Sequence, residues 1–222
     1  MEVLKENINK RKISLFPLFY IIVISLVALI PLNIWNGKTI YELWSKGEHF
    51  AEQIQFILYL SSSLLALLNI LKNKYKIFSL QNIFWIIFMI STFVIAIEEI
   101  SFLNSIQNDF FQIIRDSNAQ NEINFHNSKL FQPYLHSSYI LLNLFLGYFG
   151  WRFFPIIDAI PKKIYCLYFL FTALAYTIKE LQDLLTSSFL LQIPIHQENF
   201  EFLMSLALFL NTLKMFRNYS KT

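Results

Sequence analysis

Residues 80–100 read LQNIFWIIFMISTFVIAIEEI, an almost unbroken apolar run closing on a carboxylate pair, Glu98 and Glu99. A helix of that length, at about 1.5 Å per residue, extends about 30 Å, the thickness of a bilayer's hydrocarbon core. Five further runs of this kind follow from the same reading: 13–35, 50–71, 134–157, 164–191 and 200–216. In a chain of 222 residues, 55% of them hydrophobic and 15% charged, so many runs cannot all be hidden in a soluble core. The surface of a soluble domain this small must meet water, and such domains carry roughly 25% charged residues. The sequence therefore predicts an all-α, polytopic membrane bundle of six transmembrane helices, residues 1–222 forming one integral membrane domain in a lipid bilayer.

The first run follows a basic segment, MEVLKENINKRK, and its exit, LIPLNIWNG, holds no small-x-small cleavage site. A retained signal-anchor helix is the expectation. Orientation follows from the bases. With the N-terminus cytoplasmic, thirteen Lys and Arg residues fall on the cytoplasmic side and four (Lys38, Lys46, Arg115, Lys129) on the other, with Lys179 inside a span. All four cytoplasmic segments are basic, as the positive-inside rule requires, so both termini are expected inside. The net charge of +3 has no clustering that would suit nucleic acid, and the lone Cys166 excludes an intrachain disulfide.

The same topology puts all four histidines (His49, His126, His136, His196) and all carboxylates but Glu2, Glu6 and Asp158 on the outer side or in the outer part of a span. Polar residues recur at helical spacing along several spans: Glu48, Glu52, Gln55, Tyr59, Ser62, Ala66 and Asn69 on the second; His136, Asn143, Gly147 and Gly150 on the fourth; Thr172, Tyr176, Glu180, Asp183 and Ser187 on the fifth; Glu198, Glu201, Ser205 and Thr212 on the sixth. Each set lies on one helical face. Small and polar residues in such stripes ordinarily glue membrane helices together. Carboxylates within a span ask for more, because a charge at the centre of a bilayer costs roughly 2.5–3.5 kcal/mol on insertion scales. Lys179 is a candidate partner for Asp183 at i,i+4. KELQD (179–183) also reads as an interruption of the fifth span, of the kind that forms an unwound solute site.

Between the third and fourth spans, Leu103, Ile106, Phe110, Ile113 and Ile114 repeat at helical spacing. They predict a short amphipathic helix on the outer membrane face. Glu122 and His126 follow, four residues apart, a spacing at which carboxylate and imidazole can share a divalent metal ion such as zinc or iron. No H-E-x-x-H, phosphate-binding glycine loop or nucleophile elbow is present. The pair of motifs EEIS (Glu98, Glu99, Ile100, Ser101) and Q-x-E-x-N-x-H-N (Gln120, Glu122, Asn124, His126, Asn127) resembles one found in a group of uncharacterised bacterial multi-span membrane proteins. There the first motif continues Trp-Gly-Gln, where this chain has Phe102, Leu103 and Asn104. The resemblance implies a multi-pass protein of the bacterial inner membrane, with Glu98, Glu99 and His126 in one constellation.

Three functions are compatible with these residues. One is a hydrolase or transferase on a lipid-linked substrate, with Glu98, Glu122, His126, Glu180 and His196 as candidate metal ligands and Glu99 and Asp183 as candidate catalytic carboxylates. The alkaline ceramidases have a comparable general plan, with more histidines inside their spans. The second is transport of a cation, proton or small solute along intramembrane carboxylates. The third is a non-catalytic structural or assembly partner, in which the acids are headgroup-level charges. That reading leaves Glu98 and Glu99 at the end of a helix where the dipole disfavours anions.

Overall fold

The computed structural model describes residues 13–28, 33–35, 38–39, 50–72, 78–99, 132–184 and 197–220. Among them six helices follow in chain order: α1 (Phe16–Ala28), α2 (Phe50–Lys72), α3 (Leu80–Glu99), α4 (Gln132–Leu144), α5 (Cys166–Leu184) and α6 (Gln197–Tyr219). α4 runs on through a π-helical segment, Phe145–Phe149, and a last turn, Gly150–Phe153. Pro155 ends it two residues later, since proline offers no N–H and disfavours helical geometry before it. The expected span 134–157 is thus helical only as far as Phe153. The expected span 13–35 is likewise shorter as a helix. Its last residues form a strand, β1 (Asn33–Trp35), paired antiparallel with β2 (Lys38–Thr39).

Among the described residues, three helices are long and apolar enough to cross a bilayer: Phe50–Lys72, Leu80–Glu99 and Lys163–Leu181. α1 is apolar but has 13 residues, fewer than the roughly 20 that span hydrocarbon. α6 has 23 residues and the needed length, and its Glu198, Glu201, Lys214 and Arg217 dilute its apolar character. KELQD does not interrupt the fifth helix. Residues 179–183 continue α5 without a break, as the high helix propensity of Lys, Glu, Leu and Gln favours. The segment 102–114, expected as an amphipathic helix, and Glu122, His126 and His196, expected on the outer side, lie outside the described residues.

The bundle is built inside out relative to a soluble one. On α2 the buried face is Ala51, Gln55, Tyr59, Ser62, Ser63, Ala66 and Asn69, the stripe expected from helical spacing. Leu64, Leu67, Leu68 and Leu71 of the same helix are exposed. The fourth stripe is buried as well, with Asn143, Gly147 and Gly150 at the helix contact. α2 packs between α3 and α6; α6 leads on to α5, and α5 to α4 and α1. Buried serine and threonine hydroxyls are satisfied within the bundle. Ser63 donates to Met89 O at 3.0 Å across α2 and α3, and Thr172 donates to Phe200 O at 2.8 Å across α5 and α6.

The end of the bundle that carries the basic segments is closed by the α4–α5 connection. Ile157, Ala159 and Ile160 pack under Trp85 and Met215. Asp158 is the hub: its backbone N–H donates to Gln81 at 3.2 Å, its Oδ2 accepts from the Tyr219 hydroxyl at 2.8 Å, and its Oδ1 faces Lys162 Nζ at 3.3 Å. Lys162 also donates to Pro155 O and Ile157 O. Burial, and then the adjacent Asp158 carboxylate, hold the Tyr219 hydroxyl well above its ordinary pKa, so it remains a donor. Gly150 lets this connection close. A Cβ there would sit 2.8 Å from Ile160 Cγ2 and 3.1 Å from Phe145 O. Replacing Gly150 with Ala is therefore expected to destabilise the bundle by about 1–3 kcal/mol through overpacking, read as a lowered thermal midpoint of the detergent-solubilised protein. An unchanged midpoint would show that Ile160 can give way.

Candidate functional site

At the opposite end, five helices bring titratable side chains into one layer. α2 contributes Tyr59, α3 Glu98 and Glu99, α4 His136 and Tyr139, α5 Tyr176 and Glu180, and α6 Glu201. From Tyr165, just before α5, Tyr176 lies about 16 Å and Glu180 about 22 Å along the axis at a rise of roughly 1.5 Å per residue. Both distances are shorter than the roughly 30 Å of a hydrocarbon layer.

Two hydrogen-bonded pairs organise the layer. The first joins His136 Nδ1 to Glu180 Oε1 across α4 and α5. The imidazole side chain is 10% exposed and the carboxylate 31%. A carboxylate on Nδ1 fixes the tautomer that leaves Nε2 as the basic nitrogen. In the second pair the Tyr176 hydroxyl donates to Glu201 Oε1 across α5 and α6. The pairs touch through their rings: His136 meets Tyr176 edge-on with centroids 5.2 Å apart, and Tyr139 stacks on Tyr176 at 5.2 Å and 23°. Glu99 and Glu201 lie within electrostatic reach of both Tyr59 and Tyr139, and Glu98 within reach of Tyr139. The Tyr59 hydroxyl is buried and has no hydrogen-bond partner among the described residues.

The sequence-derived candidates divide accordingly. Glu180 is engaged by His136, and Glu98 and Glu99 are half-buried at the last turn of α3. Asp183 is placed in α5, but its side chain, like Glu122, His126 and His196, falls outside what is described. No group of three or more His, Cys, Asp and Glu side chains is positioned to hold a metal ion among the described residues. His136, Tyr59, Tyr176 and Glu201 stand on the polar stripes of their helices, and that periodicity was the signal for them. Tyr139 was missed because one tyrosine in SSYILLN is indistinguishable from packing. No family model, curated protein or solved structure matches this chain.

Chemically, an imidazole oriented by a carboxylate can accept and return a proton, whereas a tyrosine that donates to a carboxylate keeps its proton and fixes the carboxylate in place. The pairs are also structural. Glu180→Gln and His136→Phe are each expected to cost about 1–3 kcal/mol, from leaving a buried polar group short of its partner. The double variant should cost less than the sum of the two, a coupling of about 0.5–3 kcal/mol. Unfolding of the four proteins in mixed micelles measures it, and strict additivity would show that the two side chains do not interact.

Proposed function

We propose that this chain is a multi-pass protein of the bacterial inner membrane, with six spans and both termini cytoplasmic, that performs acid–base chemistry on a lipid-linked substrate as a hydrolase or transferase. The observation that carries the reading is the His136–Glu180 pair, partly buried in the bundle and touching a second proton-bearing pair, Tyr176–Glu201. A carboxylate taken out of water is a poor source of stability, because desolvation offsets most of what its partner gives back. A chain gains from holding two of them side by side when protons have to move there. In the proposed step, His136 Nε2 removes the proton of a water or hydroxyl as that oxygen attacks. Glu180 stabilises the imidazolium, and the same imidazolium returns the proton to the leaving oxygen as its bond breaks. The layer runs from about mid-bilayer toward the leaflet opposite the basic segments, which suits a substrate anchored by its own acyl chains. A metal-dependent form of the chemistry would draw on Glu98, Glu122, His126 and His196, with Glu180 already committed to His136.

A second reading, proton-coupled or cation transport, has one specific support. Buried polar side chains continue from Tyr59 along the α2–α6 seam through Ser62 to Asn69 and Thr212, where Asn69 Nδ2 donates to Thr212 O at 3.4 Å. Such a line could conduct if hydrated.

The chemistry is tested in vesicles loaded with a panel of fluorescent lipid esters and phosphoesters. His136→Ala should lower turnover about 10²–10⁴-fold, the usual contribution of a general base, and Glu180→Gln should lower it less. Turnover unaffected by either, with a proton flux abolished by Glu201→Gln, would replace the enzyme by the transporter. The topology is tested separately by impermeant maleimide on spheroplasts in a Cys166→Ser background. Asn127→Cys should label, while Lys5→Cys and Lys221→Cys should stay protected until the membrane is opened. Labelling of Lys221→Cys in intact spheroplasts would remove the sixth span.

A further inference from the structure

The basic end of the bundle holds two cations that the clasp on Asp158 leaves out. Lys162 is committed to Asp158, Pro155 O and Ile157 O. Arg152 and Lys163 touch aromatic rings instead. The Arg152 guanidinium lies 5.5 Å from the centroid of the Tyr148 ring, and its Nη1 donates to the Tyr148 hydroxyl at 3.1 Å. Lys163 Nζ lies 5.5 Å from the centroid of the Trp151 ring. The two rings meet edge-on with centroids 6.5 Å apart, so cation, ring, ring and cation follow in a row across the step from α4 to α5. Trp151 Nε1 donates to Gly147 O at 2.9 Å, which holds the indole in place within the row. Among the described residues neither base pairs with a carboxylate.

Helix electrostatics account for one of the two bases. Arg152 closes the last turn of α4, where the dipole favours a cation. Lys163 opens the apolar span Lys163–Leu181, where the dipole opposes one. An ammonium held at that end without a carboxylate makes the place attractive to an anion. Its level in the membrane narrows the choice. Lys163 stands at the mouth of a span, and Tyr148 and Trp151 are of the residue types that favour the boundary between acyl chains and headgroups. Phe149 meets Tyr148 edge-on at 5.1 Å and stacks on Phe153 at 6.1 Å, and all three rings are exposed. They continue the row as an apolar strip. An inorganic anion would leave that strip unused, whereas a phospholipid joins a phosphate to the acyl chains that suit it.

We propose that Arg152 and Lys163, spaced by Tyr148 and Trp151, form a binding site for the headgroup phosphate of an anionic phospholipid, whose acyl chains lie along Phe149 and Phe153. The site is at the opposite end of the bundle from the His136–Glu180 pair and does not rest on the acid–base reading.

Native mass spectrometry of the full chain, released from micelles of a non-ionic detergent, follows bound lipid during titration with phosphatidylglycerol or with phosphatidylcholine of the same chains. Phosphatidylglycerol is expected to bind at least about tenfold more tightly, since its net negative charge meets two bases. Arg152→Gln and Lys163→Gln should each weaken it about fivefold, the scale of one base near an anionic headgroup, and the double variant about 25-fold. Lys72→Gln removes another base of the same end, one that donates to Ser220 and lies over Phe216, and should change nothing. The comparison of the two lipids is made on the unaltered chain and decides by itself should a variant fold poorly. Equal affinity for the two lipids would overturn the proposal. So would a loss in Lys72→Gln as large as in the double variant, which marks diffuse attraction, or displacement of phosphatidylglycerol by millimolar inorganic phosphate, which marks a water-borne anion.

Discussion

The fold depends on one constraint: a polar side chain in a lipid-facing helix must find its partner inside the bundle, on its own backbone or on another helix. Lipid cannot hydrogen-bond, and it is as apolar as the leucines that face it, so burying leucine gains nothing there. The chain accordingly turns leucine, isoleucine and phenylalanine outward and stacks Gln55, Tyr59, Ser62, Ser63 and Asn69 of α2 against α3 and α6. The helices are held by close approach and by hydroxyl-to-carbonyl bonds such as Ser63 to Met89 O and Thr172 to Phe200 O. Gly147 and Gly150 serve the same end, since a side chain at either would strike α5 or the connection leading to it.

That constraint explains why the two ends differ. At the basic end, Asp158 shares its atoms among Gln81, Tyr219 and Lys162, and Asn211 Nδ2 donates to the Asp158 carbonyl at 3.2 Å. Carboxylate, ammonium and phenol balance locally, and the result is a clasp on a loop. At the other end an imidazole and a phenol partner two glutamates, His136 on Glu180 and Tyr176 on Glu201. Groups that share protons hold that layer together, so its hydrogen bonding changes whenever one of them gains or loses a proton. A clasp needs one protonation state, whereas a site for acid–base work needs at least two.

The periodicity of the sequence made much of the fold legible. The stripes on α2 and α4 appear as buried faces because hydrophobic and polar positions alternate at the helical period whichever way the helix is turned. The limits of the helices were less legible. Apolar residues read alike as helix, strand or turn, so Asn33–Trp35 passed for the end of a span and the loop after Pro155 for part of another. KELQD looked like a break because charges stood inside an apolar run, yet four of its five residue types favour helix, and backbone propensity decided. The site was half legible. Glu180 stood out as an acid in a span, while its partner His136 stood out only as part of a stripe. The pairing joins residues 44 apart in sequence, and no local pattern encodes which stripe faces which.

Glu98 and Glu99 bring these strands together. Successive helical residues point about 100° apart, so the two cannot present to the same neighbour. Both lie within electrostatic reach of Tyr139, and Glu99 within reach of Tyr59 as well. Their position at the C-terminal end of α3, where the dipole opposes an anion, is the strongest objection to treating them as incidental headgroup charges. A structural role would be met more cheaply by Lys or Arg at that place.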